Sequence, residues 1–356
     1  MNATKLSAIQ ESLKTLGFTL ENEQPHIAGE RFLMAKEKLV LVGKRDSDGK
    51  RVAIKASITE AGRRDITNEK NARDLLQSVA FTNQAIHFPE ELLWTEKDGT
   101  LFWAIEFIEQ EKVFVAHTLE EQFFLALNAF EAQESFHATT YEHLEKVKKV
   151  FPIFYAQEYF KEFSESKRII MEKYPNTELE QTLDRTEEFL RSHKSTIDTY
   201  ANYLTHTDFV PHNFRIRGRT IYMLDCAPEA RTVHFGNKYE GWARFLNYMV
   251  IHNPELDRLL SEYLRKKRGE NEYLSLRLMR AYKIVFLLRF YAESLEATEG
   301  DLRELTLKRL AFWHQILKYV LDDMPIPKEL IEDYKGTRDT LRSDEEKKRQ
   351  MEFAVA

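Results

Sequence analysis

The chain carries a single cysteine, Cys226, among 356 residues. One thiol cannot close an intramolecular disulfide, and a cysteine zinc cluster is excluded. A reducing compartment is the natural reading. Glycine and proline are scarce, at 12 and 9 residues, which disfavours a turn-rich all-β fold and favours long helices. Positive charge is not in excess. A net charge of −6 argues against a broad basic surface of the kind that holds nucleic acid. No stretch approaches the roughly 18 apolar residues of a membrane span. The opening MNATKLSAIQESLKTLGF lacks the basic leader and apolar core of a secretory signal. The expectation is a cytoplasmic protein with no membrane or nucleic-acid partner.

Hydrophobic residues make up 43% of the chain and aromatics 12%, enough at this length to bury a substantial core. Leu6, Ile9, Leu13 and Leu16 recur at helical spacing, so residues 3 to 16 read as an amphipathic helix ending near Gly17. KLVLVGK and RVAIKAS are strand-like runs joined by RDSDGK, whose Asp-Gly signals a hairpin. A helix is expected over residues 63 to 79, followed by a second hairpin, ELLWTE and LFWAIEFIE around KDGT. Beyond Glu111 the texture is helical, except for FRIRGRTIYMLD, a third hairpin about Gly218. The outline divides into an N-terminal helical extension (1–25), a strand-rich lobe (26–110), a large helical lobe (111–335) and a charged tail (336–356). A cleft between two such lobes is a common place for a ligand.

The stretch LTHTDFVPHNFRI places His206, Asp208 and Asn213 at the spacing H-x-D-x-x-x-x-N, directly before the third hairpin. Asp225 closes that hairpin. A tight hairpin brings the oxygens of Asn213 and Asp225 together, and one amide with one carboxylate suits Mg²⁺. Asp208, in the same loop, can accept a proton without ligating the metal. The plainer alternative is a turn whose Asp, Asn and His satisfy their own backbone. In RVAIKAS, alternation puts Val52 and Ile54 on one face and Ala53 and Lys55 on the other. If Val52 and Ile54 face the core, Lys55 faces the cleft, and Glu69 on the following helix is the best-placed carboxylate to hold it. Taken singly, Lys55 could be an edge-strand surface lysine and Glu69 a solvated helical charge.

The order VAIK, helical Glu, HTDFVPHN, hairpin, LDC resembles the aminoglycoside phosphotransferase and choline kinase group, within the protein-kinase-like fold. The resemblance covers residues 26 to 250. It implies an α+β, two-lobed fold with a small strand-rich N-lobe and a large helical C-lobe. It implies that Lys55 contacts the α- and β-phosphates of ATP or GTP and that Glu69 holds Lys55. Asp208 would orient and deprotonate the acceptor hydroxyl, Asn213 and Asp225 would bind Mg²⁺, and His206 would tie the loop to the segment at Asp225. Glu106, Phe107 and Ile108 would meet the adenine edge at the interlobe hinge. The acceptor would be a small molecule such as an aminoglycoside, an amino sugar or choline, with Glu240, Trp242, Arg244 and Tyr248 as candidate lining.

The sequence also departs from that pattern. No G-x-G-x-x-G precedes Lys55, so RFLMAK (31–36) would have to cover the nucleotide. Cys226 follows Asp225 and is expected to fill apolar space. The later aspartate of the group is missing, and YEGWARF offers Glu240 or Gly241 there. These departures motivate an alternative: a nucleotide-binding scaffold with weak or no catalysis. Ala227-Pro228-Glu229 spells a protein-kinase tripeptide, but it lies too close to Asp225 to end an activation segment, which disfavours a protein kinase.

Overall fold

The computed structural model describes residues 3–22, 24, 38–79, 86–218, 220–226 and 232–344. RFLMAK and the tripeptide 227–229 lie outside the described residues, as does the chain beyond 344.

The N-terminal sheet is antiparallel, with strand order β1-β2-β3-β6-β5. Its strands are β1 (Phe18–Leu20), β2 (Leu39–Arg45), β3 (Arg51–Ser57), β5 (Glu91–Lys97) and β6 (Thr100–Glu106). Period-2 alternation sorts its two faces. Val52, Ile54, Ala56, Phe102 and Ala104 pack with Ile9 and Leu13 of helix α1 (Ala3–Thr15). Leu101, Trp103 and Ile105 pack on the other face with Ile66 of helix α2 (Glu60–Val79). The extension thus contributes both a helix and an edge strand to this sheet. Lys55 lies opposite Trp103 in the β3–β6 register, on the face covered by α2.

The C-terminal part is helical: α3 (Leu119–Thr140), α4 (Leu144–Val150), α5 (Ala156–Lys173), α6 (Thr177–Ser192), α7 (Lys194–Thr199), α8 (Tyr239–His252), α9 (Pro254–Arg268), α10 (Glu270–Ser294), α11 (Gly300–Leu321) and α12 (Lys328–Leu341). Local chemistry sets the ends. At α9, the Asn253 side chain accepts from the Leu256 N–H, Pro254 opens the first turn, and Gly269 at φ 94° stops the helix. Ala281, Ile284, Val285 and Leu288 of α10 are fully buried. None of the helices among the described residues is long and apolar enough to cross a membrane.

Two small sheets sit in this helical part. The expected hairpin is β8 (Phe214–Arg217) with β9 (Thr220–Met223), and β4 (Ile86–His87) joins it parallel to β9. The second pairs β7 (Tyr203–His206) with β10 (Val233–Gly236). The sequence reading gives no strand at β1, β4, β7 or β10. Each is two to four residues long; β1 pairs with β2 some twenty residues on, and β4, β7 and β10 pair with strands that are not their neighbours in the chain.

Trp242 of α8 is 1% exposed and stacks on Phe130 of α3 at 3.9 Å. Trp242→Ala should therefore destabilise the chain by about 3–5 kcal/mol in urea unfolding. A loss under about 1 kcal/mol would mean that the stack does not couple these helices.

Candidate active site

A cleft of about 840 Å³ runs between the sheet and the helices. Lys55, Glu69, Glu106, Phe107, Ile108, Asp208, Asn213 and Asp225 all line it. Among the lining candidates, Glu240, Arg244 and Tyr248 are present. Trp242 is not, because its ring belongs to the helix–helix core.

On the sheet side, the Lys55 ammonium bonds Glu69 Oε1 in a buried ion pair. A second lysine, absent from the sequence reading, completes it. Lys38 lies 3.4 Å from Glu69, 2.8 Å from Asp65 and 3.9 Å from Asp225. Burial works against the charge on Lys38, but Glu69, Asp225 and Asp65 outweigh it and raise its pKa. Burial likewise opposes the charge on Glu69, and Lys55 and Lys38 overcome it, holding the carboxyl below its usual range. Lys38 directly precedes β2, whose register sets Val40 opposite Lys55. That cross-strand pairing brings it here, and no local motif announces it.

The run Glu106–Ile108 begins at the last residue of β6. The Glu106 N–H donates to Glu90 O at 2.8 Å and the Phe107 N–H to Arg51 O at 3.2 Å. The Glu106 carboxylate reaches Arg217 of β8 at 2.8 Å, so this run is tied to the hairpin.

On the helical side, the loop after β7 folds on itself. Asn213 Nδ2 donates to Asp208 O and Oδ2, each at 2.8 Å. The Leu224 N–H donates to Asn213 O at 2.8 Å, which seats Asn213 beside the residue preceding Asp225. His206 Nε2 lies 3.1 Å from Leu224 O and 3.0 Å from Asp225 O, bridging the loop to the end of the hairpin. Asp225 adopts the left-handed region at φ 52°, a conformation that aspartate tolerates better than most residues.

Asp225 Oδ1 is buried without a hydrogen bond among the described residues. The Asn213 amide spends its N–H groups on Asp208, so its remaining polar atom is the oxygen. A carboxylate oxygen and an amide oxygen lining one cleft are donors of the kind a hard divalent cation takes. Mg²⁺ commonly takes one or two carboxylates and completes its octahedron with water and phosphate. No cluster of three or more His, Cys, Asp or Glu able to cage a metal occurs among the described residues, so Asn213 and Asp225 would need such outside ligands.

Arg244 of α8 donates from Nε to Asp208 Oδ1 at 2.6 Å. Desolvation opposes the Asp208 charge; Arg244, Lys283 and His206 overcome it and lower the pKa to about 2. The Asp208 side chain is nonetheless 39% exposed, so it is open to solvent. Burial and the neighbouring Glu69 and Asp225 push the Cys226 thiol well up, which leaves it a neutral core side chain.

Glu240 organises the floor. It lies 2.7 Å from His234 Nε2, accepts from the Tyr159 hydroxyl at 2.9 Å and pairs with Lys283 at 3.1 Å. One residue on, α8 presses against the loop: a Cβ on Gly241 would meet His206 O at 2.7 Å and Gln133 Oε1 at 2.9 Å. YEGWARF therefore supplies two devices, a buried carboxylate and a gap for the loop backbone.

No protein-family model and no curated protein matches the sequence. Solved structures do match the fold. The chain is similar to the ADP-bound aminoglycoside phosphotransferase APH(2″)-Ib at 13% identity and TM-score 0.55, covering 90% of this chain and 99% of that one. It is similar to the GDP and kanamycin complex of APH(2″)-IIIa at 14% identity and TM-score 0.59, with 90% and 99% covered. It is also similar to a thermostable mutant of APH(4)-Ia at 12% identity and TM-score 0.59, with 87% and 97% covered. The chain therefore has the two-lobed, protein-kinase-like fold of these phosphotransferases.

Desolvation opposes the charge on Glu240, but His234 and Lys283 outweigh it and lower its pKa to about 2. Its folded value lies below its unfolded value. Its contribution is complete above about pH 5 and fades as pH falls toward about 2. Urea unfolding across that window should lose on the order of 3 kcal/mol from this group. In Glu240→Gln that acid limb should flatten, and an unchanged limb would remove Glu240 from this role.

Proposed function

We propose that the protein transfers the γ-phosphoryl group of a purine nucleoside triphosphate to a hydroxyl of a small molecule, with Mg²⁺ as cofactor. The observation that carries this reading is the convergence on one cleft of the Lys55–Glu69 pair with Asp208, Asn213 and Asp225. Phosphoryl transfer asks mostly for positioning and charge neutralisation, and these five groups supply both.

In this reading Lys55, braced by Glu69 and accompanied by Lys38, neutralises the nucleotide phosphates. Backbone groups of the Glu106–Ile108 run meet the adenine edge. The N–H groups of Glu106 and Phe107 already serve the sheet, so Ile108 supplies the donor. Asn213 and Asp225 would hold Mg²⁺, which supplies charge neutralisation at the β- and γ-phosphates when bound. The acceptor oxygen bonds to the γ-phosphorus while the bond to the β–γ bridging oxygen breaks. The nucleoside diphosphate leaves, and the hydroxyl proton passes to Asp208. A carboxylate held as low as Asp208 is a weak base, so its main contribution is to aim the hydroxyl. Solved proteins of this fold carry ADP or GDP, which supports a purine donor and leaves ATP and GTP as the two choices.

The Arg244–Asp208 contact specifically favours a second reading, a nucleotide-binding scaffold whose base is masked. Mass spectrometry of a broad panel of acceptor alcohols, with Mg²⁺ and ATP or GTP, separates the two. Asp208→Asn should slow transfer about 100- to 10,000-fold while nucleotide affinity is retained. Transfer at the wild-type rate in that variant would defeat the assignment. Mg²⁺-dependent nucleotide binding without transfer to any acceptor would establish the scaffold.

A further inference from the structure

Beyond Asp208 the cleft continues between helices, and its charge is lopsided. The helical lining presents Arg244 from α8, Lys283 from α10, Arg309 from α11, Arg338 from α12 and Arg342 just after it. Against these stand two helical carboxylates, Glu162 and Glu240, and Asp208 from the loop. Each of the three already has a partner. Asp208 is bonded by Arg244, Glu240 by Lys283, and Glu162 by the Tyr282 hydroxyl at 3.0 Å.

The arginines are not a solvated face. Arg309 is 8% exposed, and the Arg338 side chain is 16% exposed. Helix ends account for only some of them. Arg338 and Arg342 flank the carboxyl end of α12, where cations complement the helix dipole. Arg244, Lys283 and Arg309 lie within their helices and gain nothing from that effect. Arg309 bonds the Tyr334 hydroxyl and lies 5.4 Å over the Tyr291 ring. Arg338 pairs with Asp339, which does not line the cleft. His252 stacks on Tyr248 at 4.0 Å and is held near pKa 3, first by burial and then by His212, Arg338, Arg342 and Lys335. The named neighbours are all basic side chains.

Aromatic side chains are interleaved with these cations: Phe286, Phe290 and Trp313 also line this end. Aromatic walls alone would suit a quaternary ammonium ion. Buried guanidinium groups repel one, and they bind carboxylate or phosphate through two parallel N–H donors.

Resting on the phosphotransfer reading of the cleft, we propose that the acceptor is an alcohol with an apolar body and an anionic group. The phosphate or carboxylate sits among Arg309, Arg338 and Arg342, and the hydroxyl faces Asp208. Polycationic and quaternary-ammonium alcohols are excluded as acceptors.

The test is a calorimetric titration, with ADP present, of two aromatic probes of opposite charge, phenyl phosphate and benzyltrimethylammonium. Phenyl phosphate should bind at least about ten-fold more tightly. Arg309→Gln with Arg338→Gln should weaken it by about ten-fold or more, while Arg309→Lys with Arg338→Lys retains the preference. Dependence on those arginines separates this site from any phosphate binding at Lys55. If the glutamine pair does not fold, the wild type and the lysine pair still decide the sign of the preference. Equal or tighter binding of the cation overturns the proposal, as does unchanged phosphate affinity in a folded glutamine pair. An acceptor screen separates the two levels of the argument. Arginine-dependent anion binding with no transfer to any alcohol supports the anionic pocket and sinks the phosphotransferase reading. Transfer to cationic alcohols alone sinks the anionic acceptor and leaves the phosphotransferase reading standing.

Discussion

A carboxylate taken out of water must find a cation, or folding loses several kcal/mol. In this protein that constraint assembles the cleft. Among the described residues, Glu69 on α2 is satisfied by Lys55 from β3 and Lys38 from before β2. Glu240 on α8 needs His234 from β10, Tyr159 from α5 and Lys283 from α10. Asp208, partly exposed where those two are buried, draws on Asn213 in its own loop and Arg244 from α8. Each partner set spans elements far apart in sequence, so the carboxylates fix how sheet, loop and helices approach one another. Removing one member leaves a buried charge behind, which is the expensive way to break such a pair.

What could be read from the sequence follows the range of the physics involved. The hairpins at RDSDGK, KDGT and Gly218 are announced by local turn chemistry, and the structure has all three. The face of Lys55 follows from period-2 alternation once Val52 and Ile54 are taken as core, and both are fully buried. β4, β7 and β10 depend on partners far away, and β4 and β9 even pair in parallel. Nothing inside two or four residues encodes that. Lys38 reaches Glu69 through cross-strand register, and Trp242 turns from the cleft because Phe130 offers it a stacking face. In YEGWARF the missing aspartate reads as a loss. In space, Glu240 anchors the floor and Gly241 makes room for the loop.

The two ends of the cleft solve different electrostatic problems. Near the sheet, lysines and carboxylates nearly balance: Lys38 lies 3.9 Å from Asp225 Oδ1, which accepts no hydrogen bond among the described residues. Among the helices, basic groups outnumber acids. If both ends bind anions, the repulsion between triphosphate and acceptor is greatest where the hydroxyl must approach the γ-phosphorus. Arg244 stands at that junction. Its bond to Asp208 uses Nε, and the terminal nitrogens of the same planar fork are the part able to engage an arriving anion. In the phosphotransfer reading, a guanidinium there would both restrain the base and offset the charge that gathers during transfer. In that reading the acceptor's anionic group is held by Arg309, Arg338 and Arg342, while Arg244 stays with Asp208, so recognition of the acceptor and restraint of the base fall to different guanidinium groups.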